Sequence, residues 1–305
     1  MTTPAGNLGY VVYRKHIPEE IVPGKRLGRH IKRDSRSLRY AYRSTMPAEA
    51  AKDVLWQRHI PILDQGDVGS CTGNEEVGCL GTGPLWDSLP GNVRITLNEH
   101  LALSIYSDAE MIDGDGPYPP NDNGSTGTSV AQVALNRGLI SGYTHAASVS
   151  EMVDALQHGS VGVGGNWYDS MDHPDSNGFV SISPNAYVRG GHEFEVRGVR
   201  VADKLFFADN SWGTVYASSG SFTFSFDTMD RLFSEQGDCT VCVPLSQPAP
   251  VPTPNPTDPD HILWFGGGDS WEYGGASEWV QHHHTGANHA LQKDLLTWAH
   301  AKGLT

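Results

Sequence analysis

Leu63-Asp64-Gln65-Gly66-Asp67-Val68-Gly69-Ser70-Cys71-Thr72-Gly73-Asn74 sets two glycine turns ahead of a cysteine that opens a helix. A thiol at a helix N-terminus feels the positive end of the macrodipole and unpaired N–H groups, and both favour the thiolate. Gly66 and Gly69 let backbone amides approach a carbonyl, and Gln65, six residues before Cys71, can add a side-chain N–H donor to an oxyanion. Gly69 and Ser70 support the turn that leads into Cys71. The helix that follows carries Gly73, Gly78 and Gly81, which weaken it intrinsically, so it must lean on tertiary packing. Cys79, eight residues after Cys71, falls within about 80° of the same helical face and is expected to pack.

Two later clusters suit the same chemistry. In Gly190-Gly191-His192-Glu193-Phe194-Glu195-Val196, a histidine enters a strand after a flexible turn. Alternation puts His192 on the face of Phe194 and Val196 and turns Glu193 and Glu195 away, so neither glutamate orients the ring. In Asp209-Asn210-Ser211-Trp212-Gly213, Asn210 can accept from the imidazole N–H and Trp212 can shield that bond from water.

Upstream of a Pro-rich stretch the chain divides in character. Residues 46 to about 150 read as helices and loops, with a helix over Asn98 to Met111 and another ending at Gly138 with Thr128 or Ser129 as its cap. Residues about 151 to 246 read as strands, Phe222, Phe224 and Phe226 alternating with Thr223 and Ser225.

Asp64 to Cys71, Gly191-His192 and Asn210 to Gly213 together resemble the nucleophile, histidine and Asn-Ser-Trp-Gly motifs of the papain-like cysteine peptidases, over roughly residues 54 to 245. Their order matches, and His192 and Asn210 follow Cys71 by 121 and 139 residues. The resemblance implies an α+β, papain-like two-lobed fold, with a helical lobe and a β-barrel-like lobe facing across a cleft. It implies Cys71 as nucleophile, His192 as base and acid, Asn210 as orienter and Gln65 at the oxyanion, with Trp212, Gly69 and Ser70 in support. The reaction implied is endopeptidase hydrolysis through a thioester, needing neither metal nor organic cofactor. Thr72 after the nucleophile, Glu193 after the histidine and Val215 to Gly220 depart from the family pattern and resemble a divergent bacterial or bacteriophage branch.

The 305 residues are 38% hydrophobic, with 35 Gly and 19 Pro, which fits one loop-rich two-lobed domain with appendages. No apolar run approaches the roughly 20 residues of a membrane span, and the start lacks the pattern of a secretory signal. Four cysteines do not make a disulfide framework, and Cys239 and Cys242 are expected to be buried thiols. The net charge of −14 is uneven: residues 1–45 hold ten Lys/Arg against Glu19, Glu20 and Asp34, or +7, leaving −21 elsewhere. This basic arm could lie across its own acidic body, reach an acidic partner, or be merely solvated.

Residues 247–260 alternate proline as a polyproline II linker. Residues 261–305 form a Trp-rich C-terminal module holding Trp264, Trp271, Trp279 and Trp298, with a helix expected over Asn288 to Lys302. The run His282-His283-His284 lacks the spacing of a metal site. The expected substrate is a protein or peptide. Phage structural proteins or cell wall are the partners considered for arm and module, nucleic acid being less favoured, and host cytoplasm or phage virion the location. A phage structural or binding protein that keeps the fold, and a cell-wall peptide hydrolase, stand as the alternatives.

Overall fold

A computed structural model describes residues 19–31, 37, 40–44 and 50–247, and the backbone of the strands within 262–283. The chain falls into two compact units, Met1–Val251 and Pro252–Thr305.

In the first unit, helices α1 (Cys71–Leu80), α4 (Glu99–Asp113) and α5 (Gly127–Asn136) pack around one apolar core that includes Val77, Leu80, Ile105 and Val130. Short helices α2 (Gly83–Ser88) and α3 (Gly91–Arg94) connect them. All ten residues of α1 are buried, which is how a glycine-weakened helix persists. Gly73 is needed there, since a Cβ would run into the Ala102 carbonyl on α4. Asn98 caps α4 by accepting from the Leu101 N–H at 3.2 Å, and Gly114 ends it with φ +87°. The cap of α5 is Thr126, whose hydroxyl accepts from Ser129 N, two residues before the earlier of the two caps expected.

The second core, around Trp167, Phe194, Phe206, Phe222 and Phe224, belongs to a seven-stranded antiparallel sheet. Its strands are β1 (Val54–Leu55), β2 (Gly142–Ala146), β3 (Val161–Tyr168), β4 (Val188–Arg200), β5 (Leu205–Asp209), β6 (Ser221–Ser225) and β7 (Asp238–Val243). The order is β2-β7-β3-β4-β5-β6, with β1 pairing the far end of β4. Helices α6 (Val149–Leu156) and α7 (Phe226–Ser234) complete the lobe. Two sequence expectations shift here. Residues 142–146 join the sheet against β7, although they lie on the helical side of the expected division. The Phe222/Phe224/Phe226 alternation stops at Ser225, which caps α7 by accepting from Thr228 N at 3.1 Å.

The second unit contains an antiparallel three-stranded sheet, β8 (Ile262–Phe265), β9 (Ser270–Gly275) and β10 (Glu278–His283), in the order β10-β9-β8. Trp264 is in register with Trp271, and Trp279 with Gly274. The sequence reading assigned no strands to this part, and the helix expected over residues 288–302 lies outside the described residues, as does the linker after Gln247.

Candidate active site

Helix α1 begins at Cys71 with Ser70 at its cap, and both are fully buried. The Asn74 side chain ties that turn down, donating to the Ser70 carbonyl at 3.0 Å and to its hydroxyl at 3.1 Å. Strand β4, which carries His192, packs against α1, and the backbone of Glu193, the next residue, favours the thiolate form of Cys71.

The ring of His192 is fixed on three sides. Its Nε2 donates to Asn210 Oδ1 at 2.8 Å, Trp212 stacks on it with centroids 4.9 Å apart, and Trp167 meets it edge-on at 4.8 Å. With Nε2 used by Asn210, Nδ1 remains as the nitrogen able to take a proton, and no described group hydrogen-bonds to it. Asn210 Oδ1 also accepts from the Ser211 N–H, so one oxygen sets both the ring and the following turn.

Gln65 stands at the mouth with its amide direction fixed. Its Oε1 accepts from the Ser211 hydroxyl at 2.6 Å, leaving Nε2 to donate to Val68 O at 2.8 Å and to Leu27 O at 3.3 Å. Ser211 therefore couples Gln65 to Asn210, the residue bonded to the His192 ring. It lies inside the quoted motif, yet the sequence reading gave it no role; a hydroxyl next to Asn210 was the only signal.

The cleft is filled by the chain's own residues 26–30. Gly28 N and Arg29 N both donate to Gly191 O, at 3.1 and 3.0 Å, while Ser125 N donates to Gly28 O and His30 N to Ser125 O, each at 2.8 Å. Trp212 Nε1 donates to Arg26 O at 2.8 Å. Buried Arg189 holds the approach by donating to the carbonyls of Glu20 and Lys25, each at 2.7 Å. Of the three outcomes open for the basic arm, residues 19–31 take the first and lie across the acidic body, with Arg26 on Glu19 and Asp122 at 3.2 Å each.

Burial in this filled state governs the titrations. It pushes the Cys71 thiol well above its ordinary value, the Glu193 charge adding to the effect, so the helix N-terminus expected to favour thiolate is outweighed here. It lowers His192 to about 3. The Cys71 thiol and the His192 imidazole are thus both neutral while residues 26–30 occupy the cleft.

Glu193 and Glu195 do turn away from His192, but into the seam between the lobes rather than to solvent. Glu195 pairs with Arg58, and Asp209 with Arg197 at 2.8 Å. Cys79, Cys239 and Cys242 are buried and free, Cys79 donating to Glu75 at 3.1 Å. Among the described residues no group of His, Cys, Asp and Glu is arranged to hold a metal.

No family model matches the sequence, and no curated protein sequence matches it. Solved structures do. Xylellain, a cysteine protease from Xylella fastidiosa, superposes with a TM-score of 0.56 at 18% identity, covering 72% of this chain and 96% of its own. Digestive procathepsin L 3 of Tenebrio molitor larval midgut gives 0.48 at 16% identity, covering 70% and 76%. The first likeness establishes that the chain has the papain-like two-lobed α+β fold.

Proposed function

We propose that the chain is a papain-like thiol endopeptidase that acts once residues 26–30 leave the cleft. Nδ1 of His192 takes the proton of Cys71, and the thiolate bonds to the carbonyl carbon of a peptide. The oxyanion so formed is met by Nε2 of Gln65. The C–N bond breaks as His192 returns the proton to the leaving amine, leaving a thioester on Cys71. Water, deprotonated by His192, then attacks the thioester, releasing the acid and restoring the thiol. Asn210 holds the ring through both transfers and Trp212 keeps water from that bond. The observation that carries this reading is the His192 ring, fixed by Asn210 at 2.8 Å with Nδ1 left open, on a strand packed against the helix that Cys71 opens.

Wild type and Cys71→Ala, incubated with denatured host proteins and with cell-wall peptides, distinguish the outcomes when new termini are mapped by mass spectrometry. Termini from protein that vanish with Cys71→Ala support a protein-directed peptidase. Release from wall peptides alone favours the cell-wall hydrolase, and no cleavage by a wild type whose Cys71 can be alkylated refutes hydrolysis. A phage-encoded, virion-associated setting rests on the basic arm, the Pro-rich linker and the Trp-rich module of the sequence. It requires the chain at fixed stoichiometry in purified particles.

A further inference from the structure

The guanidinium of Arg29 is fully buried in the cleft. Its Nε lies 3.1 Å from Glu193 Oε2 and its Nη2 2.6 Å from Asp238 Oδ1, while Nη1 donates to the His30 carbonyl at 3.0 Å. The room for this group is made by glycines. A Cβ at Gly164 would stand on Arg29 Nε, and one at Gly127 would overlap the Glu193 carboxylate. Both carboxylates belong to the sheet lobe, Glu193 on β4 and Asp238 at the start of β7, so they stay when the segment leaves.

Position along the cleft says which substrate residue would enter. Gly28 crosses at Gly69, two residues from the nucleophile, where the peptide unit under attack must lie. Arg26 is the residue bonded to Trp212, which roofs His192, so the leaving amine belongs on Arg26's side. Arg29 is one residue past the crossing on the opposite, acyl side, and its backbone flanks pair with Ser125.

Resting on the peptidase reading, we infer that Glu193 and Asp238 form a guanidinium subsite that selects arginine two residues N-terminal to the cleaved bond, and that Arg29 is its resident occupant. A buried carboxylate pair without a cation is strongly disfavoured, whereas a planar guanidinium reaches both at once. Lysine, a single point charge, should satisfy one carboxylate at a time.

The test uses the full chain with Arg29→Ala, which empties the subsite. Thermal unfolding is followed with N-acetyl-arginine amide, its neutral isostere N-acetyl-citrulline amide and N-acetyl-lysine amide. The arginine compound should raise the midpoint and half-saturate at least tenfold below the lysine compound. The citrulline compound should do nothing, and adding Asp238→Asn should remove the arginine response. In parallel, a positional peptide library should show arginine enriched at least tenfold at the second acyl-side position. Equal responses to arginine and citrulline, or cleavage without arginine preference at that position, overturn the subsite and leave the peptidase reading standing. Arginine-specific stabilisation with no cleavage of any peptide sinks the peptidase reading and leaves a guanidinium-binding cleft. Should Arg29→Ala not fold, Gly28→Ala, which displaces the segment while keeping Arg29 in the chain, carries the library experiment.

Discussion

Gly28→Ala should open the cleft of the full-length chain. Gly28 has φ +142°, a conformation that L side chains rarely adopt, and a Cβ there would collide with the Gly69 carbonyl, backbone against backbone. Neither group can swing aside as a side chain would. Six hydrogen bonds tie the backbone of residues 26–30 to the two lobes: two into Gly191 O, two with Ser125, one from Trp212 and one from Gln65. At about 0.5–1.5 kcal/mol net each, they are worth roughly 3–9 kcal/mol before the entropy of ordering the segment is subtracted. Backbone strain of about 1–3 kcal/mol and overpacking of a similar size remove on the order of 4 kcal/mol, a shift of about a thousandfold towards the open form. The assay is the rate at which iodoacetamide alkylates Cys71, with turnover of a fluorogenic arginine-containing peptide beside it. Both should rise steeply while the unfolding midpoint of the two lobes moves little. An alkylation rate equal to wild type, with the alanine demonstrably in place, refutes the claim that residues 26–30 gate the sulfur.

Gly164→Ala removes the space for Arg29 Nε and should raise Cys71 alkylation in the same way, the double variant with Gly28→Ala showing much less than the product of the two effects. Ser211→Ala frees the Gln65 amide at the loss of one buried hydrogen bond; turnover should fall about tenfold with KM within about twofold, and a larger change in KM than in kcat would count against a positioning role. Burial raises Glu76 to about 7, so the folded state holds a proton that the unfolded state releases at lower pH; stability is fully present below the ordinary carboxylate value and declines as pH rises through 7. Urea unfolding at pH 4 and pH 9 should then show Glu76→Gln on the order of 3 kcal/mol more stable than wild type at the higher pH and little changed at the lower.

Motif residues with strong local grammar were legible in the sequence. The helix opening at Cys71 and the Asn210 turn stand where glycine placement puts them, and His192 does lie on a strand, but β4 already begins at Val188, so Gly190 and Gly191 are paired strand residues rather than a turn before it. Local grammar misled where a cap overrode a periodicity. Ser225 ends an alternation that Phe226 would have continued, and Thr126 starts α5 before the residues that had looked like caps. Alternation also told that Glu193 faces away from His192 without telling what it faces. That depended on Arg29, 164 residues earlier in the chain, and on Asp238, brought alongside by the β3–β7 pairing. Contacts at such sequence separation leave no local trace. An unusual charge after the histidine was the only sign, and it stood out only against the family pattern.

For the proposed peptidase, the direction of the occupying segment explains how a peptide can rest beside Cys71 uncut. A peptide bond has its acyl half on the N-terminal side, so a substrate must run from the Arg29 side of the cleft towards Trp212. Residues 26–30 run the other way: Arg26 sits at Trp212, Gly28 at Gly69 and Arg29 in the acidic subsite, parallel to Ser125. The leaving nitrogen is therefore on the wrong side of each carbonyl for His192 to protonate, and Gln65 meets the Leu27 carbonyl at 3.3 Å without a productive bond beneath it. Side-chain recognition does not share that polarity. A guanidinium can reach Glu193 and Asp238 from a strand of either direction, because the carboxylates contact only its end. In the proposed enzyme the same pair would thus anchor a resistant occupant and grip a cleavable one, and chain direction would decide which of them is hydrolysed.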